Sequence, residues 1–520
     1  MLDGLRLRNF RSLADSGLVQ LRPITLLLGQ NSSGKSTFLR SLPLMRQSLR
    51  IRSSAPLLWY GDLVDFGSFR EVKSSFADDK QSIGISFHFN SLTLVQPYRF
   101  TASPPEHFED VELGISLIEI DDATRLSALE VRVADDTAQL TIDGRGIVKK
   151  LTVNNHDLSR FLPRDRIYVS HHELVPQMYL VTDTKGGQIQ AIQAIMRPGS
   201  ITEHEIFNMF SQLFDRRVSS GTIRSLSRRL SYAPGDRFRE KLSSVKLSLK
   251  SWQHVKGHLA GDLGAKQLDR LRALYFAGTL PDLLSSINQA VSTSLRDLAY
   301  VGPSRATGER YYRHQELAID QIDPQGQNLA MFLYSLTPLQ RQEFSTWLKD
   351  QIGYEVQVDR QSGHVRIELR EAGSPNFHNL ADMGYGFSQI LPVMAQIWGR
   401  DRHQLQTNSS SPFIAIEQPE LHLHPAYQAR IADVLASAIK LPSARRRRPI
   451  CFVVETHSEA LVNRLGELIY NGKLSADSVA IYLFHRMTHT DATEISRSNF
   501  NDKGILTDWP LEFFSSQVSV

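Results

Sequence analysis

The apolar positions of this chain change period in a definite order. Gly4-Leu-Arg-Leu-Arg-Asn-Phe-Arg-Ser-Leu13 alternates in strand fashion, and Leu18-Val-Gln-Leu21 continues the same way. Ile24 to Leu28 is an unbroken β-prone run that stops at Gly29. A helix is predicted from Thr37 to about Leu49, kinked or shortened at Pro43. Strand-like stretches return at 84–89, 92–95, 128–133, 138–142 and 178–181. From 203 to 297 the period becomes helical, with Ile206, Met209, Phe210 and Leu213, then Leu268, Leu271, Leu274 and Tyr275, on single faces. Beyond 297 two short apolar runs, 413–416 and 450–454, read as buried strands. No internal repeat, low-complexity tract or long heptad array interrupts this order, so the middle of the chain reads as a compact insertion rather than a long coiled coil.

The junction between the first buried strand and the first helix carries chemistry. Gly29-Gln-Asn-Ser-Ser-Gly-Lys-Ser-Thr37 fits G-x-x-x-x-G-K-S in the strand–loop–helix setting that a phosphate-binding loop needs. Gly29 and Gly34 let backbone N–H groups turn inward, and the helix start adds partial positive charge. Asn31, Ser32, Ser33 and Thr37 complete the cradle. Lys35 is long enough for the β- and γ-phosphates, and the Ser36 hydroxyl suits Mg²⁺. The expected ligand is a nucleoside triphosphate.

Composition narrows the setting. At 520 residues, 41% hydrophobic and 22% charged, the chain has material for two to three soluble domains. The lone Cys451 lies in an apolar run, so it reads as a buried strand thiol and no disulfide framework exists. No apolar leader and no stretch of 18 apolar residues occurs, which leads us to expect a cytoplasmic protein away from membranes. The net charge of +4 is unevenly spread: residues 216–256 hold eleven Lys/Arg against Asp236 and Glu240, a net +9. Such a stripe suits nucleic acid, an acidic protein partner or simply a solvated surface, and its aromatic residues are few (Tyr232, Phe238, Trp252). Arg445 to Arg448 form a second basic run after Pro442.

Three later motifs complete the pattern. Met383-Gly-Tyr-Gly-Phe-Ser-Gln389 is a glycine-rich turn before an apolar helix; Pro412-Phe-Ile-Ala-Ile-Glu-Gln-Pro-Glu-Leu-His-Leu-His-Pro425 is a buried strand ending in an acid; Ile450-Cys-Phe-Val-Val-Glu-Thr-His-Ser-Glu459 is a third apolar strand. Together with the Asn-Phe-Arg prologue and the phosphate loop, they resemble the SMC/ABC-like ATPases of the OLD/AAA-type group. The Tyr300-Val-Gly-Pro-Ser-Arg305 segment and the tail from Asn501 to Phe514 resemble, more narrowly, bacterial DUF3696-type ATPases of anti-phage defence modules, including retron- and Septu-like systems. The resemblance covers about 1–100 and 298–520.

That resemblance implies an α/β fold: a P-loop ABC/SMC-type head, a mixed sheet flanked by helices, carrying a large α+β insertion. The head would be residues 1–101 and 298–520, and the insertion 102–297. Glu417 would be the acid of the Mg²⁺ shell with Ser36, Arg11 (or Arg8) would lie near the nucleotide, and His457 would reach the γ-phosphate. Gly384, Gly386 and Ser388 would bind the nucleotide held by an opposite subunit, giving a homodimer of ATP-sandwiched heads. Where such heads place a catalytic glutamate this chain has Gln418, whose amide orients water but accepts no proton. Glu420 is the nearby carboxylate, and the general base stays open between the two. Slow hydrolysis suits a switch that controls a separate effector, a nuclease or toxin. A RecF/Rad50-like DNA-repair ATPase is the alternative, and an ABC transporter subunit a weaker one. His422 and His424 are spaced poorly for zinc and read as part of a loop that packs across the dimer.

Overall fold

The computed structural model describes residues 1–78, 81–95, 106–161, 167–185, 188–194, 201–247, 249–315, 319, 321–406, 413–440, 450–486, 488 and 491–507. Contacts divide the chain into two units: Met1–Arg8, Ile51–Leu58 and Asp78–Ser292 in the first, Asn9–Arg50, Trp59–Ala77 and Thr293–Val520 in the second. Pro412, the Arg445–Arg448 run and the tail from 508 onward lie outside the described residues.

The first unit opens as an antiparallel meander. Ile83–Thr93, His107–Ile120, Ala123–Val133, Asp136–Ile142, Val148–Val153 and His156–Asp157 pair in sequence order, and Gly4–Arg8 lies along the other side of Ile83–Thr93. Alternate side chains such as Leu113, Ile115 and Leu117, or Leu129, Val131 and Val133, are buried, as a sheet with one covered face requires. The expected boundary at 102 is therefore displaced. Ile83–Thr93 bonds along its whole length to His107–Ile120 and belongs with the meander. A smaller antiparallel sheet of Ile167–Val169, Met178–Lys185 and Gln188–Ala194 follows, then four short helices and the long Ala265–Leu295.

The second unit is built on a six-stranded sheet: β1 (Ile24–Gly29), β2 (Ala299–Val301), β3 (Phe413–Glu417), β4 (Cys451–Glu455), β5 (Val479–His485) and β6 (Glu494–Ser498). The order is β2-β3-β4-β1-β5-β6, parallel except for β6. Every residue of β1, β3 and β4 is buried, which is why these segments read as continuous apolar runs rather than alternating ones. Cys451 is accordingly a buried strand thiol. Four helices are central to the unit: α1 (Lys35–Arg50), α2 (Tyr385–Gln406), α3 (Pro425–Lys440) and α4 (Glu459–Tyr470).

Both predicted helix limits move. α1 begins at Lys35 and passes through Pro43 to Arg50; the ring of Pro43 is buried in the core, and the helix continues despite the missing N–H. α2 begins at Tyr385, so Gly386 and Ser388 sit inside its first turn rather than in a loop before it. The turn leading into β2 is held by two buried guanidinium groups: Arg46 Nη1 donates to the Leu298 carbonyl at 2.5 Å, and Arg400 donates to the carbonyl of Asp297.

Candidate nucleotide-binding site

The phosphate loop is shaped by two glycines that no other residue could replace. At Gly29 a Cβ would stand 2.4 Å from the Phe484 carbonyl oxygen, and at Gly34 (φ +94°) it would stand 2.6 Å from Ser12 Oγ. β1 thus delivers the chain into a turn from which α1 starts directly at Lys35. Lys35 is buried, and its Nζ donates to the carbonyls of Gly29 (2.9 Å) and Gln30 (2.7 Å). Burial holds its pKa below the ordinary lysine value, opposed by the charges of Glu455 and Glu420.

The loop forms one wall of a cavity of about 390 Å³, lined by residues 31–37, Arg11, Ser12, Gln418 and Glu455. Arg11 is fixed there by two contacts: its guanidinium lies 4.5 Å over the Phe66 ring and donates to the Phe66 carbonyl at 3.3 Å. Arg8 belongs instead to the first unit, where it packs over Gly84. The hydroxyls of Ser12 and Ser33 are buried without a hydrogen-bond partner among the described residues, so this wall holds donors that a phosphate would satisfy.

Parallel register brings the acids together. β3 and β4 pair Glu417 opposite Glu455, and β4 is the immediate neighbour of β1. The two carboxylates have different partners. Glu417 accepts from Arg40 Nε (2.7 Å) and Nη2 (2.8 Å), a bidentate pair, and from the Tyr300 hydroxyl at 2.6 Å. Glu455 accepts from Ser36 Oγ at 2.9 Å. Its second oxygen is buried without a partner among the described residues. Burial, then the charge of Glu417, pushes the Glu455 carboxyl up to about 7.

Behind the acids the backbone is held in an unusual conformation. Gln418 has φ +43°, in the left-handed region. Its N–H donates to the Glu455 carbonyl at 2.8 Å, and buried Arg305 donates to the carbonyls of Glu417 (2.7 Å) and Gln418 (3.1 Å). Burial lowers the Arg305 pKa to about 10, with Glu420 and Glu417 opposing. Glu420 is buried away from the cavity wall, where its Oε1 accepts from the His457 N–H at 2.7 Å. His457 likewise does not line the cavity, and burial depresses its pKa to about 4, so the ring is neutral at pH 7. Tyr300, Arg305, Arg40, Ser12 and Glu455 carry no role in the sequence reading. Glu455 alone had a local signal, an acid closing a buried strand next to the phosphate loop strand.

Gly384, Gly386 and Ser388 are brought together, but none of them lines the cavity. Ser388 Oγ donates to the Tyr385 carbonyl at 2.7 Å, while Gly384 and Tyr385 are exposed. A Cβ on Gly386 would stand 2.8 Å from the His422 carbonyl, and the rings of Tyr385 and His422 meet edge-on at 4.8 Å. Gly386→Ala should therefore push the His422 turn off α2 and destabilise the fold by about 1–2 kcal/mol, read as a lower melting temperature. An unchanged melting curve would show that the turn yields freely.

The raised Glu455 carboxyl also sets a pH dependence. Its folded value of about 7 stands above the ordinary 4.5 of a glutamate, so the neutral acid favours the folded state. Its contribution is complete below pH 4.5 and is lost as pH rises through 7. Without nucleotide and in EDTA, the melting temperature should fall between pH 6 and 8, and Glu455→Gln should flatten that fall. Parallel curves for the two proteins would contradict it.

A divalent ion is implied by this class of loop, and the residues fit one: hard oxygen donors, a serine hydroxyl at the helix start and a buried carboxylate oxygen without a partner among the described residues. Residues 316–462 match a protein family described as an AAA ATPase domain. No curated protein matches the chain. Among solved structures it is similar to the SMC head domain from Thermotoga maritima (11% identity, TM-score 0.34, covering 95% of this chain and 98% of that one). It is also similar to an Smc head bound to the C-winged helix domain of ScpA (12%, TM-score 0.31, 95% and 97%). A third is an Smc head with an extended coiled coil bound to the C-terminal domain of ScpA, derived from Pyrococcus furiosus (14%, TM-score 0.31, 95% and 96%). Identities and TM-scores of this size leave the functional reading to the site itself. No helix among the described residues is long and apolar enough to cross a membrane.

Proposed function

We propose that this chain is a Mg²⁺-dependent ATP-binding switch that hydrolyses slowly and acts as a homodimer, controlling a separate effector of nuclease or toxin type in an anti-phage defence complex. The observation that carries the nucleotide reading is the cavity that gathers Lys35, Ser36, Arg11 and the 31–37 loop around one polar space. The defence role rests on the motif resemblance. A magnesium ion, held by Ser36 and an acid of the β3–β4 pair, would neutralise charge on the terminal phosphates. The chain's own part is to wrap the phosphates in loop amides, anchor them with Lys35 and Arg11, and orient water with the Gln418 amide. Glu420 lies off the cavity wall with one oxygen on the His457 N–H, and no carboxylate follows Glu417 directly, so turnover is slow. The exposed Gly384 and Tyr385 at the α2 start offer N–H groups to the nucleotide of a second subunit.

A second reading, an ATPase that binds nucleic acid in the RecF/Rad50 manner, is favoured by the basic segment. Nine of the eleven Lys/Arg in 216–256 are exposed, and three of the eleven are tied to Glu203, Glu109 and Glu106. Tyr232, Phe238 and Trp252 are all buried in the core, so contact there would be with phosphates rather than stacked bases. The test is a native pulldown of the tagged chain with its genomic neighbours, with ATP and with Lys35→Ala in parallel, together with light scattering. An ATP-dependent dimer that retains a neighbouring effector supports the switch. A dimer that holds only duplex DNA, with ATP and in a salt-sensitive way, supports the second reading, and a monomer under all conditions overturns both.

A further inference from the structure

The acid that motif position assigns to the metal, Glu417, is already fully engaged. Both its oxygens are held by Arg40 in a bidentate pair, with the Tyr300 hydroxyl as a third donor, and its side chain is 2% exposed. These partners come from α1 and β2, so the cluster ties the end of β3 to the helix packed against it and to one neighbouring strand. To ligate an ion there, Glu417 would have to surrender charge-assisted bonds inside the protein.

Glu455 presents the opposite case. It lines the cavity beside Ser36, takes that residue's hydroxyl, and keeps one buried oxygen without a partner among the described residues. A buried carboxylate oxygen left unsatisfied costs free energy that a cation would recover. The geometry points to Glu455, at the end of β4, as the carboxylate that completes the Mg²⁺ shell with Ser36, and to Glu417 as a positioning residue held by Arg40 and Tyr300. The magnesium acid has in effect moved one strand across the sheet, to the strand that borders β1. This follows from register: Glu417 and Glu455 are cross-strand partners, but only β4 is hydrogen-bonded to the strand that feeds the phosphate loop.

This inference rests on the nucleotide-switch reading above, and its test separates the two. Affinity for a fluorescent, non-hydrolysable ATP analogue is measured in excess Mg²⁺ and in EDTA for the unaltered chain, Glu455→Gln and Glu417→Gln. Mn²⁺ bound in the presence of the analogue is counted by electron paramagnetic resonance. In the unaltered chain Mg²⁺ should tighten binding by about tenfold or more. Glu455→Gln should bring that ratio close to one and lose the bound Mn²⁺ signal, while it still binds the analogue in EDTA, which shows that the variant is folded. Glu417→Gln should keep both the ratio and the Mn²⁺ signal. The reverse pattern, or loss of the ratio in both variants, overturns the assignment. Mg²⁺-independent binding by the unaltered chain overturns it alone, and no nucleotide binding at all overturns the switch reading with it.

Discussion

Lys35→Ala is expected to weaken ATP binding and to lower the rate of hydrolysis by at least about 100-fold, the scale seen when one preorganised charge-stabilising group is removed. The lysine is buried against the loop's own carbonyls, at 2.9 and 2.7 Å, and points its ammonium into the space that the loop encloses. Among the described residues no second lysine lines that cavity, and Arg11 is pinned over Phe66. The fold should survive, since Lys35 lines an open cavity and Gln30, one of its two acceptors, is exposed. Equilibrium binding of a labelled nucleotide, with circular dichroism as the folding control, checks this. Retention of affinity within a few-fold would mean that the cavity is not a phosphate site.

Arg40→Met should destabilise the fold by about 2–3 kcal/mol. The reason is asymmetry within the pair. Glu417 is buried at 2% side-chain exposure while Arg40 is 37% exposed, so removing the arginine strands a buried carboxylate with Tyr300 alone. Breaking a fully buried pair costs about 3–5 kcal/mol, and the exposure of Arg40 places this case below that range. Glu417→Gln alone should cost less, because an amide still meets Arg40 and Tyr300 without a net charge. Adding Glu417→Gln to Arg40→Met should recover most of the loss, and a double-mutant cycle on thermal melts measures the recovery. Strict additivity of the two changes would show that the pair contributes nothing.

These expectations separate what was legible in the sequence from what was not. The phosphate loop could be read because its parts are contiguous: a buried strand, two glycines at fixed offsets and a helix start. The buried strands β3 and β4 were visible for a similar reason, since parallel strands covered on both faces leave unbroken apolar runs. The start of α2 was misplaced by five residues because Gly384 and Gly386 suggest a loop, whereas Gly386 lets the helix approach the His422 carbonyl. The partners of the acids were invisible. Arg40 and Glu417 are 377 residues apart, Tyr300 and Glu417 are 117 apart, and Ser36 and Glu455 are 419 apart. Only strand order and register bring them within bonding distance. Tyr300-Val-Gly-Pro-Ser-Arg305 carried a family resemblance but no chemistry of its own, yet its first residue holds one acid and its last holds the Glu417 and Gln418 carbonyls.

The left-handed Gln418 bears on attempts to accelerate this protein. Writing the missing glutamate back in, as Gln418→Glu, would add a carboxylate to a cavity wall that already holds Glu455, with Glu417 paired to it from the neighbouring strand. Burial, and after it the charge of Glu417, already pushes the Glu455 proton affinity upward. A third acid would meet the same repulsion and would itself hold its proton near neutral pH. The neutral amide is thus an electrostatic tolerance limit of the sheet's geometry, and a faster enzyme would have to be sought by adding positive charge nearby before adding another acid.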